Sequence, residues 1–356
     1  MAARILSADA SAKLLSELRE GVRAAQLLDR LPGRYVVRAL LLSPLLVLLV
    51  YLAWIHPSSV VVILASAAAG LVSIQLGFIA HDAGHGAVSR ARWANATSGQ
   101  LAFTVLNGIG FESWRISHAA HHVGCQDESR DPDMWIDTIL SLTPRSAEAK
   151  TGLGRRLLRY QAFTLWPLAL FFAHSLRVES LGRSYREPVR YRWDALLLPL
   201  HYGLWLVLPA MALGIGWGRA LAVYAVTSAG MGLYLAVIFW VNHVGMPALQ
   251  AGHGRSISEQ QVVGSRNVRC LAVFDWFFGG LNFQIEHHLV PDCPGPRLRE
   301  LAAITRPLCA ENGLPYREER FLDALCSDSR CATKNGRFAR EEEWRRIRTH
   351  GPLPRV

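Results

Sequence analysis

The chain has 356 residues, of which 51% are hydrophobic and 19% charged, and a formal net charge of +10. A soluble chain of that length would ordinarily form two domains, but here the apolar residues gather in long blocks instead of alternating, which excludes an ordinary soluble protein. The positive charge is spread over the segments between those blocks with no nucleic-acid-binding motif, so it points to a membrane surface and away from nucleic acid.

Residues 1–35 are polar and mixed in charge and lack the apolar core of a cleavable signal peptide. They read as an N-terminal segment outside the bilayer. An apolar block of about 18 residues or more reads as a membrane helix, and four follow. The first covers 36–55, with Arg38 and Pro44 inside it, and the second covers 59–80 and runs straight into His81. The third covers 195–217, and the fourth covers 220–241 and runs into Asn242-His243. The links within each pair are His56-Pro57-Ser58 and Gly218-Arg219, so the spans are expected to form two hairpins. Two further stretches, 99–111 with Gly108 and Gly110, and 161–178 with Pro167 and His174, suit helices in the interface or lining a cavity better than full spans. The expected fold is an all-α integral membrane protein: four transmembrane helices in two hairpins, with a membrane domain over 36–325 capped by helices. The tail over 326–356 contains a charge run, Glu341–Arg348, that reads as a solvated helix face.

Basic residues orient this arrangement. Six Lys and Arg fall in 1–35, fourteen in 81–194 and sixteen in 243–356, against none and one in the two links. Positive charge concentrates on the cytoplasmic side, so both termini and both large segments are expected there. The six cysteines (125, 270, 293, 309, 326 and 331) all lie in those regions without a Cys-x-x-Cys, so reduced thiols are expected, with neither a disulfide framework nor a zinc knuckle.

Seven of the thirteen histidines sit in three short boxes: His81-Asp-Ala-Gly-His85, His118-Ala-Ala-His121-His122, and Gln284-Ile-Glu-His287-His288. In the last, a glutamine stands where a first histidine would. On a helix, positions i, i+3 and i+4 share a face. A lone histidine is usually a surface or satisfied core residue, but three boxes beside apolar spans in one chain point to metal. His243 ends the fourth block and adds an eighth imidazole on the same membrane face. Eight exceed what one metal takes and suit two with open positions. Such nitrogen-rich sites fit iron, copper, nickel or zinc. A membrane-embedded acyl chain offers only unactivated C–H bonds, which redox-inert zinc cannot oxidise and iron with dioxygen can. Asp82, Asp131, Asp133 and Glu286 are near enough in sequence to accept the second ring N–H of a metal-bound histidine. Asn242 is a candidate for holding a metal-bound water or for ending the helix. Trp114 and Trp276 are candidates for lining an acyl tunnel.

The order His-Asp-Ala-Gly-His, then Trp-Arg-x-x-His-x-x-His-His with Asp131-Pro132-Asp133 downstream, then Gln-Ile-Glu-His-His-Leu-Val-Pro resembles the membrane fatty acid desaturases over residues 36–325. Gln284 resembles the subgroup of front-end desaturases and bacterial acyl-lipid or linoleoyl-CoA desaturases. The resemblance implies an oxidoreductase with a di-iron centre that uses dioxygen and two electrons to remove two hydrogens from an acyl chain. The implied ligands are His81, His85, His118, His121, His122, His243, His287 and His288, with Gln284 at the variant position. The substrate would be a lipid, CoA or carrier-linked fatty acyl chain. Many front-end members carry a fused haem domain with a His-Pro-Gly-Gly motif; the only His-Pro here is His56-Pro57. Electrons are therefore expected from a ferredoxin or a cytochrome with its reductase, docked on a basic face that includes Arg155, Arg156 and Arg159. The segment Val123–Glu128 departs from the family's frequent Thr-Asn, which leaves the position of attack open. Two alternatives stand beside this reading: a hydroxylase or acetylenase on the same scaffold, and a non-redox zinc-binding membrane protein.

Overall fold

A computed structural model describes residues 5–134 and 139–326. Cys331, the Glu341–Arg348 run and nearly all of the 326–356 tail lie outside the described residues, as does the side chain of Arg159. In chain order the helices are α1 (Ala8–Ala24), α2 (Pro32–Ile55), α3 (Ser59–Gly84), α4 (Arg92–Gly99), α5 (Phe111–Gly124), α6 (Pro144–Ala149), α7 (Gly152–Leu157), α8 (Gln161–Ala169), α9 (Phe172–Arg186), α10 (Arg192–Tyr202), α11 (Trp217–His243), α12 (Ile257–Gly264), α13 (Val273–Phe278), α14 (Gln284–Leu289) and α15 (Leu298–Glu311). Two short strands, β1 (Asn267–Arg269) and β2 (Glu318–Arg320), pair in parallel with Val268 opposite Glu319.

Among the described residues, four helical stretches are long and apolar enough to cross a membrane: Pro32–Ile55, Ser59–Gly84, Arg192–Ala212 and Trp217–His243. The first two correspond to the expected blocks but are longer. Hydropathy stops at Ala80, whereas α3 continues through His81 to Gly84. The last turn of α3 faces protein, where buried polar groups are tolerated once they have partners. His81 therefore lies inside the helix and His85 at its cap, not beyond its end. The same holds for His243, the last residue of α11.

The third block differs more. It runs α-helically to Tyr202 and then in wide π-type turns over Gly203–Ala212. Pro199 and Pro209 each remove a backbone donor from the stretch, which favours such local rearrangement. The link to α11 is Leu213–Gly216, with Gly214 and Gly216 at φ +65° and +84°, conformations that side chains other than glycine rarely adopt. Gly218-Arg219, expected as the link, instead belongs to the first turn of α11. A second π-type segment, Gln100–Asn107, extends α4 and stops at Gly108 in the left-handed region.

The pairing of α3 with α11 positions the site. A methyl group added at Gly70 would overlap the Thr227 carbonyl, and one at Gly230 would meet the Ala67 carbonyl, so the two backbones touch. Small residues permit this close approach in the apolar layer. Gly70 lies eleven residues before His81, and Gly230 thirteen before His243. The helices therefore run the same way and deliver both histidines at one level, roughly 16 to 20 Å beyond the contact at 1.5 Å per residue. Outside the bundle, α1 buries Leu18 and Val22 with Leu298, Leu301 and Ala302 of α15. Ser256 caps α12 in a reciprocal capping box with Glu259.

Candidate metal centre

The boxes occupy the C-terminal turns of four helices: His81 on α3, His121 and His122 on α5, His243 on α11, and His287 and His288 on α14. His118 sits one turn earlier on α5, and His85 caps α3. Helix C-termini carry partial negative charge, so this convergence creates an environment suited to cations.

Two histidine-rich sets of ligand atoms result. His81, His85, His118 and His287 form the first and His121, Cys125, His243 and His288 the second; within each, the ligand atoms all lie within 4.8 Å of one another. His122 lies between the sets. Its ring centroid is 4.8, 4.7 and 4.7 Å from those of His85, His118 and His287, and 4.4 Å from that of His288. All eight expected histidines are thus brought together. The i, i+3, i+4 spacing of the middle box divides them, with His118 in the first set, His121 in the second and His122 between the two.

The inward nitrogens lack ordinary partners. The Nε2 atoms of His81, His85, His121 and His288 are buried with no hydrogen-bond partner among the described residues. His122 Nε2 lies 3.2 Å from His118 Nε2 and 3.1 Å from His287 Nε2. Each such pair needs one N–H and one lone pair, and a ring shared by two neighbours cannot serve every contact when all are neutral. Unsatisfied buried nitrogens cost roughly 1–3 kcal/mol each. Metal ions would satisfy them, so the residues present fit a metal pair.

Four of the outward nitrogens are held. His81 Nδ1 lies 3.0 Å from Asp82 Oδ1, and His121 Nδ1 lies 2.9 Å from Asp131 Oδ1 and 3.4 Å from Asp133 Oδ2. His243 Nδ1 donates to the Gly264 carbonyl at 3.1 Å, and His288 Nδ1 to Gln261 Oε1 at 2.7 Å. Each contact fixes the Nδ1–H tautomer and leaves the Nε2 lone pair free for a metal. Asp82 is itself held by the Tyr35 hydroxyl at 2.6 Å and the Gly295 N–H at 3.0 Å.

Electrostatics agree. Burial pushes the His85 imidazole down to about 3, and burial plus neighbouring imidazoles hold His118, His122, His287 and His288 well below the ordinary range, so they stay neutral. His121 is the exception: burial opposes its charge, but Asp133 and Asp131 more than offset this and raise it.

Glu286 does not meet a histidine. Its carboxylate accepts from Asn267 Nδ2 at 2.7 Å and the Tyr316 hydroxyl at 2.9 Å, and burial lifts it to about 7. It ties α14 to β1 instead. Gln284 Nε2 lies 2.9 Å from His243 Nε2, so the glutamine stands at the inner face of the second set. Asn242 supports it, donating to Gln284 Oε1 at 3.3 Å and to the Ile238 and Leu281 carbonyls. Cys125, Gln261 and Gly264 carried no signal in the sequence, because each reaches its histidine from another element, 118, 27 and 21 residues away.

A cavity of about 270 Å³ opens onto the histidines. Ile74, Phe78, Phe103, Ile109, Leu235 and Phe239 line it, with His81, His118, His121 and His243 at one wall. Trp114 also lines it, as expected. Trp276 does not; half-exposed, it stacks against the Arg38 guanidinium, 5.0 Å from the ring centroid.

Comparison with known proteins bears on this arrangement. Residues 57–320 match the family described as Fatty acid desaturase. An acyl-lipid (9-3)-desaturase of Borago officinalis is 31% identical over 79% of this chain and 67% of its own length. A delta(8)-fatty-acid desaturase of Arabidopsis thaliana is 32% identical over 73% of this chain and 61% of its own length, and fatty acid desaturase 3 of Bos taurus is 28% identical over 90% and 72%. The chain thus spans about two thirds of the length of the plant relatives it matches.

Proposed function

The chain belongs to the fatty acid desaturase family, and from that premise we propose that its eight clustered histidines hold two iron ions at which a double bond is introduced into a fatty acyl chain. The observation that carries this reading is the junction of an apolar cavity with two clustered sets of imidazoles. Bound iron supplies the activation of dioxygen that breaking an unactivated C–H bond requires. The protein supplies the rest. Ile74, Phe78 and Phe103 hold the acyl chain and exclude water. Asp82, Asp131, Gln261 and the Gly264 carbonyl fix ring orientation and tautomer.

The finer assignments follow from the same premise. The ligands are His81, His85, His118, His122 and His287 for one ion and His121, His243 and His288 for the other, with Gln284 beside the second. The four spans form two hairpins, with both termini and the metal centre in the cytoplasm, supported by the sparse basic residues in the two links. The acyl chain is linked to lipid, CoA or a carrier. Electrons come from ferredoxin or a cytochrome with its reductase.

Iron-reconstituted protein, given an acyl substrate, dioxygen, a reductase and ferredoxin, tests this. A product lighter than the substrate by two hydrogens is expected. A product heavier by one oxygen would make the enzyme a hydroxylase, and a zinc-loaded protein that stays inactive after iron reconstitution would overturn the di-iron assignment. Topology is tested separately: in a background without native cysteines, Ser16→Cys is labelled from the cytoplasmic side and Ser59→Cys from the opposite side only.

A further inference from the structure

Helix α13 and the two strands carry a surface that lines neither the histidine sets nor the cavity beside them. Helix α13 and the residue pair before it expose Leu271 (72%), Val273 (73%), Phe274 and Trp276, while Phe278 packs inward. The helix is anchored beside the second turn of α2, where Arg38 donates to the Trp276 carbonyl at 3.1 Å. At that level α2 exposes Val36, Val37, Leu40 and Leu41. An apolar and aromatic lip continuous with a lipid-facing helix end lies where headgroups meet acyl tails.

Directly behind this lip is a pocket of about 350 Å³ lined by Arg269, Arg299, Arg306 and Asn282, with the Glu318 carboxylate. Two of its arginines are neutralised: Arg299 pairs with Asp275 at 2.6 Å and Arg306 with Glu318 at 2.9 Å. Arg269 is not. It is exposed, and its register partner across the parallel strand pair is Arg320, also exposed. Strands sit about 4.8 Å apart and paired positions share a face, so two like charges stand side by side. Like charges directly opposite destabilise a sheet, and among the described residues neither arginine has an acidic partner. An anion seated at these two guanidiniums would remove the repulsion, because guanidinium geometry matches phosphate.

We propose that the Arg269 edge of this pocket, together with Arg320 on the neighbouring strand outside it, is a binding site for an anionic phospholipid of the leaflet on the histidine side, with its phosphate at these two arginines and its acyl chains along Leu271, Val273 and Phe274. The apolar lip is what selects a lipid over a soluble anion. A free phosphate gains nothing from it, whereas a phospholipid satisfies the arginines and covers the exposed side chains together. The bound lipid holds α13, and through Arg38 the start of α2, at a fixed depth in the bilayer.

The test uses purified full-length protein in mixed detergent micelles supplied with phosphatidylglycerol and phosphatidylcholine, read by native mass spectrometry. Wild type is expected to retain phosphatidylglycerol preferentially, and R269Q/R320Q to lose that preference by about thirtyfold. R155Q/R156Q, which removes equal charge on α7, should keep it. Phe274→Ser, which leaves every arginine in place, should also weaken retention and so separates the site from a folding defect of the double variant; thermal unfolding is followed for each. Equal loss in both double variants would reduce the effect to general basic charge and overturn the site. No preference in wild type, or full displacement of the lipid by inorganic phosphate alone, would overturn it as well.

Discussion

The two histidine sets are built unequally. The first collects His81, His85, His118 and His287, with His122 alongside, from three helices. The second has three imidazoles, His121, His243 and His288, and fills the remaining space with Gln284 and Cys125. Their support differs too. One carboxylate, Asp82, holds an outward nitrogen in the first set, whereas Asp131, the Gly264 carbonyl and Gln261 hold all three in the second. A set rich in imidazoles tolerates a loosely held ring, because its neighbours keep the ion. A set with three ligands depends on the orientation of each. The second subsite is therefore the more fragile half of the centre.

The largest expected effect comes from removing a second-set ligand. His288→Ala should abolish turnover, a loss beyond about a hundredfold, and bring the iron content down from two ions toward one per chain, because an opened coordination position undermines the geometry of the rest. His85→Ala in the first set should retain more iron than His288→Ala when both are assayed by elemental analysis; equal losses would erase the asymmetry. Next is Asp131→Asn, which keeps the shape beside His121 but removes the charge that fixes its Nδ1–H. A loss of about ten- to hundredfold in iron affinity or activity is expected, measured by titrating the metal-free protein with ferrous iron. Asp82→Asn should cost less than Asp131→Asn, and the reverse order would contradict the comparison.

Gln284→Ala should have an intermediate effect of about tenfold on turnover, with the iron count unchanged and the Mössbauer signature of one ion altered and that of the other retained. Changes in both signatures would place the glutamine between the ions instead of at the second. The smallest effect is expected for Cys125→Ser. The thiol donates to the Gly264 carbonyl at 3.7 Å and lies 3.8 Å from His243 Nδ1, the outward nitrogen, and burial pushes it well above the ordinary thiol range, so it stays protonated. A serine hydroxyl makes the same contact, so iron content and thermal midpoint should shift within about 1 kcal/mol of wild type. Loss of an iron ion in this variant would make Cys125 a ligand.

How far the sequence could be read varied by region for physical reasons. The spans at 36–55, 59–80 and 220–241 were legible because a bilayer demands unbroken apolar runs. Their ends were not, because α3 and α11 bury their final turns against protein, where hydropathy no longer reports on helix length. The π-type turns over Gly203–Ala212 left only two prolines as a trace, and the link at Leu213–Gly216 was misplaced by several residues for that reason. Glu286 shows the limit of proximity in sequence: it neighbours His287, yet its carboxylate turns the other way, to Asn267 and Tyr316.

What the sequence determined by itself was the kind of chemistry: seven imidazoles in three short boxes and an eighth at the end of an apolar block, a set of groups that suits metal ions next to a membrane-borne substrate. Residue type and local spacing suffice for that, since a helix turns by the same angle wherever it sits. The tertiary structure alone decided how the imidazoles are shared. His118 joins one set and His121 the other because α5 lies between the end of α3 and the end of α11, and those ends are level only because Gly70 and Gly230 let the two backbones touch. The outer partners were settled in the same way: Gln261 and the Gly264 carbonyl reach His288 and His243 from α12, 27 and 21 residues away in sequence. No periodicity records such contacts, because they depend on packing between elements and not on the repeat within any one of them.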